Sequence, residues 1–149
     1  MNRQLLDVNV LVALLWPEHD FHKLVQAWFG ENAHKGWATC PITQAGFIRV
    51  VSNPHFSIRA VSPADALRVL DLTLQHPAHR FWFDDVPLNE ALAIFGKRLV
   101  GHQQVTDAYL LGLAIRKKGR LVTLDRSVVE LLGRDDPRAG AVELISGKI

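Results

Sequence analysis

Three aspartates stand where acids of an α/β protein can reach a common site. Asp7 ends the apolar run in "RQLLDVNV", and Asp125 ends the β-branched run in "LVTLDR". Asp107 lies near the start of "VTDAYLLGLAIRKKG", which is predicted to be a helix that stops at Gly119. Taken singly, each acid is also typical of an N-cap or an Asx turn. Taken together, the three predict a cluster of carboxylates.

Carboxylates in a cluster repel one another, and a bound cation relieves that repulsion. Two carboxylates 4 Å apart repel by about 4 kcal/mol at an effective dielectric constant near 20. Hard oxygen ligands suit Mg²⁺ or Mn²⁺, which often hold a phosphate oxygen as well. Such a site activates water for attack on a phosphodiester.

Strands and helices alternate along the predicted chain. Strands are predicted around 4–6, 36–40, 81–83, 120–125 and 141–145. Helices are predicted directly after the first strand and around 20–32, 42–53, 62–75, 89–99 and 105–119. This order predicts an α/β fold, a three-layer α/β/α sandwich with a mainly parallel central sheet. Ligands gather beyond the carboxyl ends of such strands, where the acids are expected to converge.

The composition is that of an ordinary globular protein. The 149 residues are 48% hydrophobic and 21% charged, which predicts a single domain spanning residues 1–149. The single Cys40 excludes an internal disulfide and fits a reducing compartment. The apolar run from Leu5 to Trp16 is interrupted by Asp7 and Asn9 and is too short to span a bilayer. We therefore expect a cytoplasmic protein that does not enter a membrane.

The net charge of +2 permits a polyanion as partner without requiring one. The segment "IRKKGR" concentrates Arg116, Lys117, Lys118 and Arg120 just before Asp125. These cations have two interpretations, contact with a nucleic-acid backbone or a solvated helix end that they stabilise through the helix dipole.

Five stretches in a fixed order resemble the PIN-domain ribonucleases, and more closely the VapC-type toxins of bacterial type II toxin–antitoxin systems. They are "LLDVNVLVAL", "WATCPITQAGFIRVVSNP", "HRFWFDDV", "GHQQVTDAYLLGLA" and "GRLVTLDR", and together they span nearly the whole chain. The resemblance implies a PIN-like fold and a metal-dependent endoribonuclease that uses Mg²⁺ or Mn²⁺. It also implies structured RNA, often tRNA, as substrate, a cognate antitoxin as partner, and a homodimer.

The resemblance also assigns roles to residues. The family's three metal-binding acids fall on Asp7, Asp107 and Asp125. Asn9 matches a small polar position beside the metal, and Thr106 matches a hydroxyl position just before an acid.

Gln44 departs from the pattern, because similar proteins usually carry Glu at this position of "ITQAGFIRV". Glutamine keeps a carbonyl acceptor but loses a charge and gains a donor, so it is expected to be a weak outer ligand. Three interpretations stay open: an active enzyme with a three-aspartate site, an enzyme weakened by natural drift, and an engineered substitution that makes a toxin tolerable to its host.

Other basic residues are candidates for contact with the RNA backbone. They are Arg49, Lys97, Arg98, Arg116, Lys117, Lys118 and Arg120. For Arg49, which shares a predicted helix with Gln44, a structural ion pair is an equal alternative.

Several other signals favour structural roles. His19 and His22 lack the thiolate or HExxH spacing of a zinc site. Asp84 and Asp85 are expected in a turn at a strand end, and Cys40 in the core.

Two rival functions remain. One is a HAD-like phosphotransferase, whose second acid is replaced here by Asn9. The other is an RNA- or antitoxin-binding module that has lost catalysis through Gln44.

Overall fold

The computed structural model describes residues 3–146, in which five short parallel strands form one sheet. The strands are β1 (Gln4–Leu6), β2 (Trp37–Thr39), β3 (His79–Phe81), β4 (Arg120–Thr123) and β5 (Val142–Leu144). Their order across the sheet is β3-β2-β1-β4-β5, and every neighbouring pair is parallel. The predicted parallel sheet is confirmed.

Within residues 3–146, seven α-helices cover the two faces of this sheet. They are α1 (Val8–Leu15), α2 (His22–Asn32), α3 (Pro41–Val51), α4 (Pro63–Leu74), α5 (Leu88–Ala93), α6 (Val105–Arg116) and α7 (Arg126–Val129). The first four share one core with Leu6 and Val122, and the last three share another with Leu5 and Leu121. Because neighbouring strand residues point to opposite faces, one short strand supplies both cores. The α/β/α sandwich is therefore confirmed.

The chain reverses its direction across the sheet between β1 and β4. It passes from β1 outward to β2 and β3, then returns beyond β1 to β4 and β5. In the β1–β4 pair, Leu6 lies opposite Val122. A crevice opens where the strand order reverses, beyond the carboxyl ends of these two strands. Asp7 and Asp125 follow the strands on either side of it.

The third strand lies nearer the N-terminus than the aromatic run indicated. A strand centred on 81–83 was expected, whereas the observed strand is His79–Phe81. As an edge strand, β3 takes its bounds from β2, with Trp37 paired to His79 and Thr39 to Phe81. Trp82 turns into the core, and its backbone N–H donates to the Thr39 carbonyl at 2.8 Å.

Two predicted helix ends are also corrected. The helix expected over 89–99 ends at Ala93, and Gly96, at φ 54°, begins a separate 3₁₀ turn over Gly96–Arg98. The helix expected to stop at Gly119 ends at Arg116, and Lys118 rather than Gly119 takes the left-handed conformation, at φ 60°. Gly119 is needed instead for close approach, because a Cβ there would collide with the Arg3 carbonyl and the Trp82 ring.

The remaining structural expectations agree with the observed burial. Cys40 is buried, and Asp84 and Asp85, in the loop after β3, are exposed. No helix within residues 3–146 has both the length and the apolar character needed to cross a membrane.

Close packing of α5 against α6 yields a test of the fold. A Cβ added at Gly112 would lie 2.8 Å from the backbone oxygen of Ala91, so neither helix can yield easily. We expect Gly112→Ala to lower the free energy of unfolding by about 1–3 kcal/mol through overpacking. The matched control is Gly30→Ala in α2, where nothing lies within 4 Å of the new methyl group. There the loss of backbone freedom in the unfolded chain should raise stability by about 0.5–1 kcal/mol. Urea unfolding of both variants measures the signs, and a stabilising Gly112→Ala would contradict the packing.

Candidate active site

Asp7 is a buried acid at the junction of β1 and α1. Its side chain is 5% exposed and caps α1, with Oδ1 accepting from the Val8 backbone N–H at 2.8 Å. Oδ2 accepts from the Thr123 hydroxyl at 2.8 Å. Burial raises the pKa of Asp7, and the nearby Asp125 raises it further, while the two hydrogen bonds act in the opposite direction. The carboxylate is therefore held in position but poorly solvated.

The Thr123 hydroxyl joins the ends of β1 and β4. Besides donating to Asp7, its oxygen accepts from the Asn9 amide at 3.3 Å and from the Asp125 backbone N–H at 3.0 Å. The Asn9 carbonyl oxygen in turn accepts from the Leu124 N–H at 3.1 Å. Sequence reasoning did not identify Thr123. The signal available was a hydroxyl residue two positions before the acid in "TLD".

Asp125 is both a helix cap and a neighbour of the buried acid. It is exposed, and its Oδ1 accepts from the backbone N–H of Ser127 at 2.9 Å and from the Ser127 hydroxyl at 2.7 Å. These bonds cap α7 and leave Oδ2 without a hydrogen bond to the described residues. Capping and membership of an acidic site are thus compatible for this residue.

Asp107 lines the same cavity as Asp7. It lies in the first turn of α6, where the helix dipole favours a negative charge. Partial burial raises the pKa of Asp107 to about 6, and repulsion by Asp7 and Asp125 contributes to the rise. All three acids therefore lie near enough to one another to interact electrostatically.

This set of oxygen donors fits a hard divalent cation. Carboxylates that raise one another's pKa are relieved when a cation binds between them. Within residues 3–146, no three His, Cys, Asp or Glu side chains are already grouped closely enough to hold a metal. Asp7, Asp107 and Asp125 are the residues that would hold such a cation.

A cavity of about 330 Å³ adjoins the acids. Its lining residues are Asp7, Val8, Asn9, Val12, His19, Val50, Phe56, Thr106 and Asp107. Thr106 and Asn9 thus lie at the site as expected. The apolar wall of Val12, Val50 and Phe56 and the nearby His19 were not identified from the sequence as site residues.

Gln44 lies apart from the three acids in its hydrogen bonding. Its amide nitrogen donates to the Thr39 hydroxyl at 3.0 Å, and that oxygen lies 2.7 Å from Nε2 of His79. Burial lowers the pKa of His79, which favours a neutral ring. Gln44 is also not among the residues that line the cavity beside Asp7 and Asp107.

The basic candidates separate into two groups. Arg49 is exposed on α3, and Lys97 and Arg98 are exposed on the 3₁₀ turn after α5. The other group lies at the far end of α6, a helix about 18 Å long. Three of its members form ion pairs, which are Arg116 with Glu90 at 3.3 Å, Lys117 with Asp85 at 2.8 Å, and Arg120 with Glu143 at 3.0 Å.

Comparison with known proteins gives consistent results. Residues 5–133 match the family model of the PIN domain. Ribonuclease VapC38 of Mycobacterium tuberculosis is 50% identical over 127 residues, covering 85% of this chain and 88% of that protein. Ribonuclease VapC39 of the same species is 43% identical over 141 residues, covering 95% and 98%. The fold is similar to that in the crystal structure of VapBC2 from Rickettsia felis bound to a promoter DNA fragment, with a TM-score of 0.65 at 15% identity, covering 97% of this chain and 99% of that one.

The Thr123 hydroxyl offers a direct test of the site. Thr123→Val keeps the side-chain shape but removes the donor to the buried Asp7. We expect it to lower the free energy of unfolding by about 1–3 kcal/mol, the cost of an unsatisfied buried polar group. It should also weaken Mn²⁺ binding, measured by calorimetry. Thr123→Ser retains the hydroxyl and is the matched control, so equal effects of the two variants would refute this role.

The raised pKa of Asp107 predicts a stability that depends on pH. The unfolded carboxyl ionises near pH 3.8 and the folded one near 6, so the metal-free protein loses stability as pH rises through this window. We expect Asp107→Asn in EDTA to raise the free energy of unfolding above pH 7 by about 1–2 kcal/mol, after allowance for partial solvent exposure.

The gain should disappear near pH 4, where the wild-type carboxyl is protonated in the folded state. Urea unfolding at the two pH values measures it. An Asn variant that is no more stable than wild type above pH 7 would contradict the repulsion.

Proposed function

This chain belongs to the PIN-domain family, and on that premise we propose that it is a metal-dependent endoribonuclease toxin of the VapC type. The observation that carries the proposal is that Asp7 and Asp107 line one cavity at the crevice between β1 and β4, while Thr123 links Asp7 to the backbone of Asp125. Relatives named as VapC ribonucleases, at 43–50% identity over most of the chain, support the same activity.

Each acid contributes differently to this function. Asp7, Asp107 and Asp125 would hold Mg²⁺ or Mn²⁺, which when bound supplies an acidified water and charge stabilisation at the phosphate. Thr123 and Val8 orient Asp7 so that its carboxylate does not have to reorganise during the reaction. Asp107 and Asp125 approach from the starts of two helices.

Gln44 bears on the rate of the reaction. Its hydrogen bond to Thr39 can be kept in a Glu variant, because the Thr39 hydroxyl can donate to a carboxylate while Nε2 of His79 donates to Thr39. Gln44→Glu is therefore compatible with the local structure and restores the residue that similar proteins carry. We propose that Gln44 attenuates the enzyme.

The partners follow from the same proposal. The substrate is structured RNA, with tRNA as the first candidate, and a cognate antitoxin inhibits the enzyme in the cytoplasm. The exposed Leu67 and Leu72 on α4 supply apolar surface suited to a homodimer. The ion-paired cluster at the end of α6 remains a candidate for contact with RNA distant from the cleaved bond.

A second function is favoured by Gln44 itself. If three aspartates are insufficient, the chain is a module that binds RNA or the antitoxin without cleaving RNA. The HAD-like phosphotransferase has less support, because both ends of the Asn9 amide are engaged, with Thr123 and Leu124, and supply no general acid.

Cleavage of purified total RNA tests the function. Wild type, Gln44→Glu and Asp7→Asn are compared with Mg²⁺, Mn²⁺ or EDTA. We expect wild type to cleave RNA only with a metal, Gln44→Glu to cleave faster, and Asp7→Asn to lose about 100-fold or more, as loss of a metal ligand should cause.

The controls separate the alternatives. Full metal-dependent cleavage by Asp7→Asn in a nuclease-free preparation would exclude the proposed site. Cleavage by Gln44→Glu alone would identify the natural chain as an attenuated form. Binding of RNA without cleavage by either protein, even in Mn²⁺, would select the binding module.

A further inference from the structure

A second cavity, of about 730 Å³, lies beside α7 and carries an excess of positive charge. We call it the arginine cleft. Its lining residues are Arg98, Arg126, Val129, Glu130, Leu132, Gly133, Arg134, Ala139 and Val142. Three guanidinium groups therefore face one carboxylate, that of Glu130.

The three arginines of the cleft are available to a ligand. In the part of the chain that the structure describes, Arg98, Arg126 and Arg134 form no salt bridge, although Glu130 lines the same cleft. The neighbouring Arg138 differs, because its side chain binds Asp136 through Nε at 3.0 Å and Nη2 at 2.9 Å. Arg98 lies near enough to Asp136 to lower the pKa of that carboxyl, but none of the three arginines forms a direct ion pair among the described residues.

One of these arginines, Arg98, packs closely against Gly133. A Cβ at Gly133 would lie 2.5 Å from Nη2 and 3.1 Å from Cζ of Arg98. The guanidinium therefore occupies the space that any other side chain would fill. Because Gly133 has no Cβ, there is room for the Arg98 guanidinium to lie against the backbone at the edge of the cleft.

The arginine cleft begins next to the acidic site. Arg126 directly follows Asp125 and is the first residue of α7. An RNA strand with one phosphate between Asp7, Asp107 and Asp125 carries further phosphates on both sides of it. Guanidinium groups bind phosphate oxygens through paired N–H donors, which makes arginine a suitable contact for such a backbone.

We propose that the arginine cleft binds the phosphate backbone of RNA beside the cleaved bond. This inference rests on the proposed function, since it places the scissile phosphate at the three aspartates. It assigns backbone contacts to Arg126 and Arg134 and gives Arg98 a defined position. An acidic protein segment is the competing occupant, but the position of Arg126 directly after Asp125, at the start of α7, favours RNA.

Binding measurements in EDTA test the cleft without cleavage. Fluorescence anisotropy with labelled bulk tRNA, over a series of salt concentrations, is measured for wild type, Arg126→Gln, Arg134→Gln and Gly133→Ala. Arg68→Gln on α4 removes the same charge away from the cleft. Gly140→Ala adds a methyl group with nothing within 4 Å. Urea unfolding of each variant confirms that it is folded.

In each Arg→Gln variant of the cleft, the fall of log K with log salt should be less steep by about 0.7 to 0.9, the value for one phosphate contact. A variant that binds as wild type does at about 1 M salt would therefore bind about five- to eightfold more weakly than wild type at about 0.1 M. Gly133→Ala should weaken binding by displacing Arg98, whereas the two controls should bind as wild type does. In cleavage assays of the Gln44→Glu background, the cleft variants should raise KM and leave kcat unchanged.

Other outcomes distinguish a failure of this inference from a failure of the proposed function. Unchanged slopes in the three cleft variants would refute the cleft while leaving the nuclease intact. Lost binding of a labelled polyglutamate peptide with unchanged tRNA binding would make it a site for an acidic protein instead. If the variants lose tRNA binding but neither wild type nor Gln44→Glu cleaves RNA with any metal, the cleft stands and the proposed function fails. No tRNA binding by wild type would overturn both.

Discussion

The hydrogen bond from the Thr123 hydroxyl to the Asp7 carboxylate is the interaction on which the site depends. It joins the carboxyl ends of β1 and β4, which are 116 positions apart in sequence. The same hydroxyl oxygen accepts from Asn9 and from the backbone of Asp125. One side chain therefore fixes the position of the buried acid and the start of the loop that carries the exposed one.

The topology explains why this bond connects the two acids. Because the strand order reverses between β1 and β4, no covering crossover connection runs directly between them, and their ends border a crevice. Burial in that crevice raises the pKa of both Asp7 and Asp107, and proximity to the other acids raises both further. Repulsion among the acids therefore destabilises the metal-free fold at the crevice, where a bound cation would relieve it.

Two groups of basic residues differ in whether acids already pair with them. At the far end of α6, Arg116, Lys117 and Arg120 are engaged by acids of neighbouring elements. Beside α7, the arginines of the cleft have no such partners among the described residues. A count of basic residues therefore does not distinguish these two groups, since it ignores which charges are already paired.

The sequence by itself determined the layered fold and the parallel sheet, and it identified Asp7, Asp107 and Asp125 as candidate site residues. It could do so because apolar periodicity and strand-end positions are local signals. It did not determine the bounds of β3, since pairing with β2 decides them. Nor did it show that Gly119 serves close packing, that Thr123 links Asp7 to Asp125, or that Gly133 seats an arginine. Only the tertiary structure decided these features, because each is a contact between residues far apart in sequence and no local pattern records the partner.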